Sequence, residues 1–248
     1  MSKVEIYRQQ LRQLTDWEPF LLKESGLPGP RGNIELAQAV AEEGNEVLFE
    51  HFLSFDPHKA PTNSPEEFLA FCGVLGQGKL LAAGKRGILE KLRRFAADPR
   101  WRTREAVAMA LQRFGDTDMG ALLDEMEKWS KGDVWVQRAA IAAICEPRLL
   151  TQPTHAERVL NILDRITALL KETENGDKEG FRVLRQSLGY CWSVAVVALP
   201  EKGKQIMERW LTVEDRDVRW IMRENLRKNR LARMDTKWVE HWQDKISG

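Results

Sequence analysis

The stretch GDVWVQRAAIAAICEP, residues 132–147, decides the fold class. Its Ala, Ile and Cys side chains are small or apolar and would pack tightly as one helix. Asp133 precedes this helix, where a carboxylate accepts backbone N–H bonds and suits the positive end of the helix dipole. Arg138 lies near the start of the same apolar run. We therefore predict a buried helix after Asp133, with an arginine that has a specific partner.

The same pattern recurs along the chain: an arginine is followed by apolar or small residues three, six and seven positions later. Strand signals are almost absent, because no alternation of period two is sustained. The arginines recur every 34 to 47 residues, a period typical of the helix pairs of an α-solenoid. The segments that share the pattern are TREAVAMAL (103–111), QRAAIAAIC (137–145), LRQSLGYCW (184–192) and VRWIMRENL (218–226).

An aspartate precedes each of these arginines, and the Arg of one unit can pair with the Asp of the adjoining unit. The pattern resembles the HEAT repeat, whose Asp and Arg form such a ladder between layers, and the resemblance covers about residues 98–230. It implies an all-α fold, a right-handed α-solenoid of HEAT-like helix pairs in one domain, residues 1–248. Residues 1–80 would be less regular N-terminal capping helices, and residues 81–248 the regular repeats. The aspartates are Asp98, Asp133, Asp177 and Asp217.

The composition is that of an ordinary globular protein, with 43% apolar and 30% charged residues among 248. No run approaches 18 apolar residues, and the start, MSKVEIYRQQ, lacks the layout of a signal peptide. The three cysteines are far apart and have apolar neighbours, which is typical of reduced, buried thiols rather than a disulfide framework or a metal cluster. We therefore expect a cytoplasmic protein without a membrane segment, a metal or a cofactor.

Charge is balanced overall, at a net +1, but it is unevenly distributed along the chain. Residues 33–67 contain eight acidic residues and one lysine, whereas residues 79–104 contain nine basic residues and two acidic ones. If these segments form separate surfaces, the protein is strongly bipolar. The alternatives are that they are solvated helix faces or that they neutralise each other.

The segment GVLGQGK, residues 73–79, matches the first part of a phosphate-binding loop, G-x-x-x-x-G-K. However, Leu80 follows at the position where a Ser or Thr hydroxyl must hold the magnesium ion, and the residues before the segment predict a helix rather than a strand. We therefore interpret the segment as a flexible turn between helices.

The segment WVQRAAI, residues 135–141, resembles part of the HEAT-like alkylpurine DNA glycosylases, which excise positively charged alkylated bases. The active groove of that family carries two tryptophans, an Asp and an Arg. The resemblance implies that a carboxylate stabilises positive charge on the sugar, that the arginine holds a phosphate, and that the rings lie against the sugar or base. In this chain Glu replaces the Asp and Tyr replaces the second Trp, and the arginine equally has a structural role as a ladder residue. The matching positions are Trp101, Glu105, Arg138 and Tyr190.

Four arginines near the C-terminus recur at spacings of four, four and three, which predicts a cationic stripe along one helix face. Neighbouring tryptophans would let such a stripe follow a phosphate backbone. Interspersed acidic residues favour instead a solvated face, or a cap of the solenoid that binds acidic protein segments. The arginines are Arg219, Arg223, Arg227 and Arg230.

Two hypotheses for the function follow from these patterns. Helix-pair solenoids present an extended concave surface, so the first is a binding or scaffold module whose ligand on that face, a protein or DNA, is unassigned. The second is a DNA-lesion binder or a repair enzyme of the alkylpurine DNA glycosylase type. Whether the chain is an enzyme, and its oligomeric state, stay open at this point.

Overall fold

The computed structural model describes residues 1–173 and 177–247. These residues form fifteen α-helices and one short 3-10 helix, with no β-strand among them. The prediction of an all-α protein, made from helical periodicity, is therefore confirmed. The chain divides into two compact units, unit 1 (residues 1–117) and unit 2 (residues 118–248), which are described separately below.

In unit 1 the longest helix is the centre of the packing. This helix, α5, contacts α2, α3, α4, α6 and α7, and most of its residues are buried. The boundary between residues 80 and 81, where the sequence predicted the capping region to end, falls inside it. The helices of unit 1 are α1 Lys3–Leu11, α2 Glu18–Glu24, α3 Ile34–Glu43, α4 Glu46–Leu53, α5 Pro65–Ala82, α6 Ile88–Phe95 and α7 Trp101–Thr117.

Glycines explain how α5 comes so close to its neighbours. A methyl group at Gly76 would lie 2.3 Å from the ring of Phe49, on α4. A methyl group at Gly78 would lie 2.7 Å from the Cα atom of Ala110, on α7. Residues 73–79 lie within α5, so the prediction of a flexible turn is wrong. The reason is that these glycines allow backbones to approach closely, which a sequence pattern does not distinguish from flexibility.

In unit 2 three helices pack side by side, with α11 between α9 and α13. A second set packs against them, in which α10 contacts α8, α9, α11 and α12. The last two helices, α14 and α15, contact each other and α13. The helices of unit 2 are α8 Met119–Trp129, α9 Val134–Ile144, a 3-10 helix Pro147–Leu149, α10 Pro153–Thr173, α11 Lys178–Ala198, α12 Pro200–Leu211, α13 Arg216–Leu226, α14 Asn229–Met234 and α15 Thr236–Ser247.

Aspartates begin the helices that carry the recurring pattern in unit 2. The carboxylate of Asp133 accepts hydrogen bonds of 3.0 Å from two backbone N–H groups of α9. Asp177 accepts one of 2.9 Å from the N–H of Gly180, at the start of α11. At the start of α13 the capping residue is Asp215, which leaves the carboxylate of Asp217 available for a longer-range contact.

That contact joins α13 to α11. Nε of Arg185 lies 2.6 Å from Oδ1 of Asp217. The geometry of this contact does not meet that of a hydrogen bond, so we describe it as an ion pair. Two other positions of the recurring pattern make different contacts. Arg104 donates to carbonyl oxygens just before its own helix, at 2.6 and 3.1 Å, and Asp177 accepts from the indole of Trp135 at 2.6 Å. The predicted Arg–Asp pairing is therefore present between α11 and α13.

Candidate functional site

The acidic segment 33–67 and the basic segment 79–104 pair with each other in unit 1. Lys85 forms an ion pair with Glu46, and Nζ of Lys91 lies 2.6 Å from the carboxylate of Glu50. The ammonium group of Lys79 also donates to two carbonyl oxygens of the acidic segment. These contacts support the alternative in which the two segments neutralise each other over the one in which they form separate charged surfaces.

A pocket of about 190 Å³ in unit 1 is lined by two residues that the sequence analysis singled out, Trp101 and Glu105. The two are four residues apart on α7, so their side chains lie on the same face of the helix. Trp101 is 45% exposed and Glu105 is half-buried. The pocket lies between α5, α7 and the segment that joins α2 to α3, and its walls are almost entirely apolar. The aliphatic, thioether and phenyl side chains of the wall are Leu27, Ile34, Phe68, Phe71 and Met109.

A buried ion pair supports one wall of this pocket. Nη1 of Arg102 lies 3.1 Å from Oε2 of Glu67, and the two side chains are only 7% and 0% exposed. Nη2 of Arg102 donates to the carbonyl oxygen of Gly29 at 2.7 Å and to Oδ1 of Asn63 at 3.3 Å. The guanidinium carbon lies 4.5 Å from the centre of the Trp101 ring. Because both of its terminal nitrogens are engaged within the protein, Arg102 positions Trp101 rather than offering its charge to a ligand.

Tyr190 and Arg230 form an exposed aromatic contact in unit 2. The Tyr190 side chain on α11 is 44% exposed, and Nη2 of Arg230 donates to its hydroxyl oxygen at 2.6 Å. The guanidinium carbon of Arg230 also lies 4.5 Å from the centre of the ring. Arg138 is half-buried on α9, the helix that packs beside α11. Thus Trp101 and Glu105 come together in unit 1, whereas Arg138 and Tyr190 lie on neighbouring helices of unit 2.

The predicted stripe of four arginines on one helix is wrong, because α13 ends at Leu226 and Arg230 lies on α14. Arg219 and Arg223 both donate to the carbonyl oxygen of Ile246, at 3.0 and 3.3 Å. Cations suit this position, since Ile246 lies at the negative C-terminal end of α15. Arg227, the residue that follows α13, instead pairs with Glu224 of that helix, at 2.6 Å. The four side chains therefore make three different kinds of contact.

Among the described residues, four tryptophans donate their indole N–H to a carboxylate, a recurring contact that the sequence analysis missed. Only one of these pairs, with a spacing of four residues on one helix, has a local sequence signal. The others join residues 30 to 46 positions apart, which only the folded chain brings together. The pairs are Trp129 with Glu125 at 2.9 Å, Trp135 with Asp177 at 2.6 Å, Trp210 with Asp164 at 2.8 Å, and Trp238 with Glu208 at 2.7 Å.

The three cysteines are buried free thiols. Burial raises the pKa of the Cys72 thiol well above its ordinary value. Burial also raises the pKa of the Cys145 thiol, and a hydrogen bond with the Cys191 thiol raises it further.

In the described part of the chain, no group of three or more His, Cys, Asp or Glu side chains is arranged to hold a metal ion. Across the same residues, no helix is long and apolar enough to cross a membrane.

The pocket also contains residues that sequence reasoning did not predict. Phe68 and Phe71 are in the helix α5, and their rings are stacked at 6.3 Å between centres. Apolar residues at such positions have the same sequence signature as any core residue, so no local signal marks them as part of a pocket.

Comparison of the chain with models of known protein families, with curated protein sequences and with solved structures found no match.

Proposed function

We propose that the protein is a HEAT-like binding module. It would be a right-handed α-solenoid of helix pairs that binds a polypeptide segment on its concave face, which the second helix of each pair forms. Three helices that carry the recurring pattern, α9, α11 and α13, lie side by side in unit 2, which supports this architecture. The ion pair between Arg185 and Asp217 joins two of them in the way that a HEAT ladder does. Buried free thiols are typical of a reducing compartment, which supports a cytoplasmic location.

The observation that carries the proposal is the contact between Tyr190 and Arg230. Tyrosine and arginine are enriched among the residues that dominate the binding energy of protein interfaces. Here the arginine holds the ring by stacking and by a hydrogen bond, so an exposed aromatic side chain is already ordered before a ligand arrives. Val197, also exposed, lies two helical turns further along α11 and extends the same face.

A polypeptide fits this face better than a nucleic acid does. Binding of a phosphate backbone requires several Lys or Arg side chains that can release counterions. Arg227 pairs with Glu224, and Arg219 and Arg223 hold the end of α15, so these charges already have partners within unit 2. A ligand with both apolar and charged groups would match this face, where the side chains of Tyr190 and Val197 lie with that of Arg230.

Selection of a phage-displayed random peptide library on the immobilised protein tests this proposal. We expect enriched sequences that bind the wild-type protein and lose at least tenfold in affinity when Tyr190 is replaced by Ala. Val47→Ala is the matched control, because Val47 is 79% exposed and lies in unit 1. Equal affinity for the wild type and Tyr190→Ala, or no enriched sequence, would contradict the proposal.

The second candidate is a DNA repair enzyme of the alkylpurine glycosylase type, favoured by the shared pocket of Trp101 and Glu105. In that case Glu105 would stabilise positive charge on the sugar while Trp101 lay against it. Release of a cationic N-methylated purine from duplex DNA is the direct assay. Release by the wild type that is abolished in a folded Glu105→Gln variant would establish this candidate, and no release above the uncatalysed rate would exclude it.

A further inference from the structure

The contact between α9 and α11 holds two of the three buried thiols, a pair that the proposed function does not use. Cys145 directly follows the end of α9, and Cys191 lies in the second half of α11. We infer that the two cysteines form an intramolecular disulfide when a hydroperoxide oxidises the protein. The contact is then a redox-sensitive site, and the structure shows its reduced form.

Both cysteines converge on one backbone oxygen, the carbonyl of Ile141 in the last turn of α9. The N–H of Cys145 donates to this oxygen at 3.0 Å, and the thiol of Cys191 donates to it at 3.6 Å. Cys191 comes from another helix, 50 residues further along the chain than Ile141. The packing of α11 against α9 therefore directs the Cys191 side chain at the helix end where Cys145 lies.

The two thiols are also hydrogen-bonded to each other. Because the hydrogen of the Cys191 thiol points at Ile141, the Cys191 sulfur is the acceptor, and its lone pair faces the sulfur of Cys145. A disulfide bond is about 2.0 Å long. Rotation about the Cα–Cβ bonds can bring two sulfur atoms from hydrogen-bond distance to bonding distance, so the backbone contact between the helices can be kept.

This arrangement gives the two cysteines different roles. Cys145, as the thiolate, attacks one oxygen of hydrogen peroxide; the O–O bond breaks, and the departing hydroxide takes up the proton that the thiol released. The sulfur of Cys191 then attacks the resulting sulfenic acid; the S–O bond breaks, and the oxygen leaves as water with the Cys191 proton. Two thiols and one hydrogen peroxide therefore give one disulfide and two water molecules, and the two electrons from sulfur reduce the peroxide.

Burial makes the first step slow, because the raised pKa of the Cys145 thiol keeps its thiolate scarce. Two features act in the opposite direction. The positive charge of Arg230 offsets part of the rise in this pKa, and Cys145 lies at a helix end, where local opening admits small molecules. We therefore expect oxidation over hours by a small hydroperoxide.

The neighbouring thiol decides the product. A sulfenic acid condenses with a thiol to a disulfide, and a thiol that is already in contact has a large advantage over one in solution. Cys72 provides the comparison within the same molecule. It is also buried, but it is the one cysteine of unit 1, so it has no second thiol in its own unit.

Thiol counting on the full-length native protein tests the inference. The protein is incubated overnight with about 1 mM hydrogen peroxide, treated with catalase, and then unfolded and alkylated with iodoacetamide. We expect the number of alkylated cysteines to fall from three to one, and the remaining one to be Cys72. Dithiothreitol added before alkylation should restore all three, because it reduces a disulfide but not a sulfinic or sulfonic acid.

Peptide mapping without reduction identifies the bond. Trypsin cuts after Lys and Arg, so Cys145 lies in the peptide 139–148 and Cys191 in the peptide 186–202. We expect one species that joins these two peptides and separates into them on reduction. Cys72→Ser is the matched control, because it removes the third buried thiol and should leave the yield of joined peptides unchanged.

The inference is overturned if all three cysteines are still alkylated after peroxide treatment, or if Cys72 is lost as fast as the other two. A disulfide that joins two copies of the chain, seen as a dimer on a non-reducing gel, would overturn it as well, and so would a loss that dithiothreitol does not restore. These measurements use the wild-type protein and no ligand of the exposed face of unit 2. The inference and the proposed function therefore fail independently.

Discussion

Replacing Arg102 with Met should destabilise unit 1 strongly, because it leaves a fully buried carboxylate without its charged partner. Methionine keeps most of the aliphatic stem but removes the donors to Glu67, Gly29 and Asn63. Glu67 then keeps one hydrogen bond, from the N–H of Asn63 at 2.6 Å. Removing one partner of a buried ion pair costs about 3–5 kcal/mol, and we expect a loss of that size.

Urea denaturation followed by circular dichroism measures the loss as a lower midpoint. The matched control is Lys85→Met, which breaks the ion pair with Glu46, whose side chains are half exposed. It should cost no more than about 1 kcal/mol, because solvent screens such a pair. Replacing Glu67 with Leu in the Arg102→Met background should recover part of the loss, since no buried charge then remains. A loss in Arg102→Met no larger than that of the control would refute the reasoning.

Three further results follow from the structure. Arg185→Ala should lower the stability of unit 2 by about 1–2 kcal/mol in urea denaturation, since it removes the ion pair with Asp217 and a cation–π contact of 4.0 Å with Trp220. Arg182→Ala, which breaks an exposed pair, should change the midpoint little, and equal effects would contradict a stabilising role for the contacts of Arg185. Hydrogen bonds from Arg12 and Arg8 lower the pKa of Glu43 from 4.5 to about 2, so its contribution to stability is present above pH 4.5 and is lost as the pH falls through about 2. The difference in melting temperature between wild type and Glu43→Gln should therefore shrink between pH 5 and pH 2, and a constant difference would exclude this role. Because burial raises the thiol pKa values of Cys72 and Cys145, Ellman's reagent at pH 8 should react rapidly with these cysteines only after denaturation, and fast labelling of the native protein would contradict their burial.

The sequence predicted the elements whose signal is local. Helical periodicity identified the helices that begin after Asp133 and Asp177, because a capping carboxylate and an apolar face both lie within a few residues. The recurring pattern also predicted that an arginine of one unit pairs with an aspartate of the adjoining unit, and Arg185 and Asp217 form such a pair. The prediction of one arginine stripe failed because α13 ends at Leu226 and Arg230 lies on the next helix, and spacing alone does not reveal where a helix ends.

The pocket of unit 1 was not predicted as a pocket. Two of its lining residues, Trp101 and Glu105, were singled out through the resemblance to the alkylpurine DNA glycosylases, which implied a groove shared with Arg138 and Tyr190. Phe68 and Leu27 come from other parts of the chain, and their sequence neighbourhood is that of ordinary core residues. The prediction of a turn at residues 73–79 failed for a related reason. The glycines there are required by the close approach of α4 and α7, which depends on residues that are distant in sequence.

The most direct test of the proposed function is a fluorescence-anisotropy titration with short duplex DNA, one plain and one carrying an abasic-site analogue, at about 50 and 200 mM salt. The titration compares the wild type with a folded Arg138→Ala variant. A polypeptide-binding module predicts at most weak binding at low salt, equal for the two duplexes and unchanged in the variant. Tight binding that prefers the abasic duplex, falls steeply with salt and disappears in Arg138→Ala would contradict the account and establish a DNA-lesion binder.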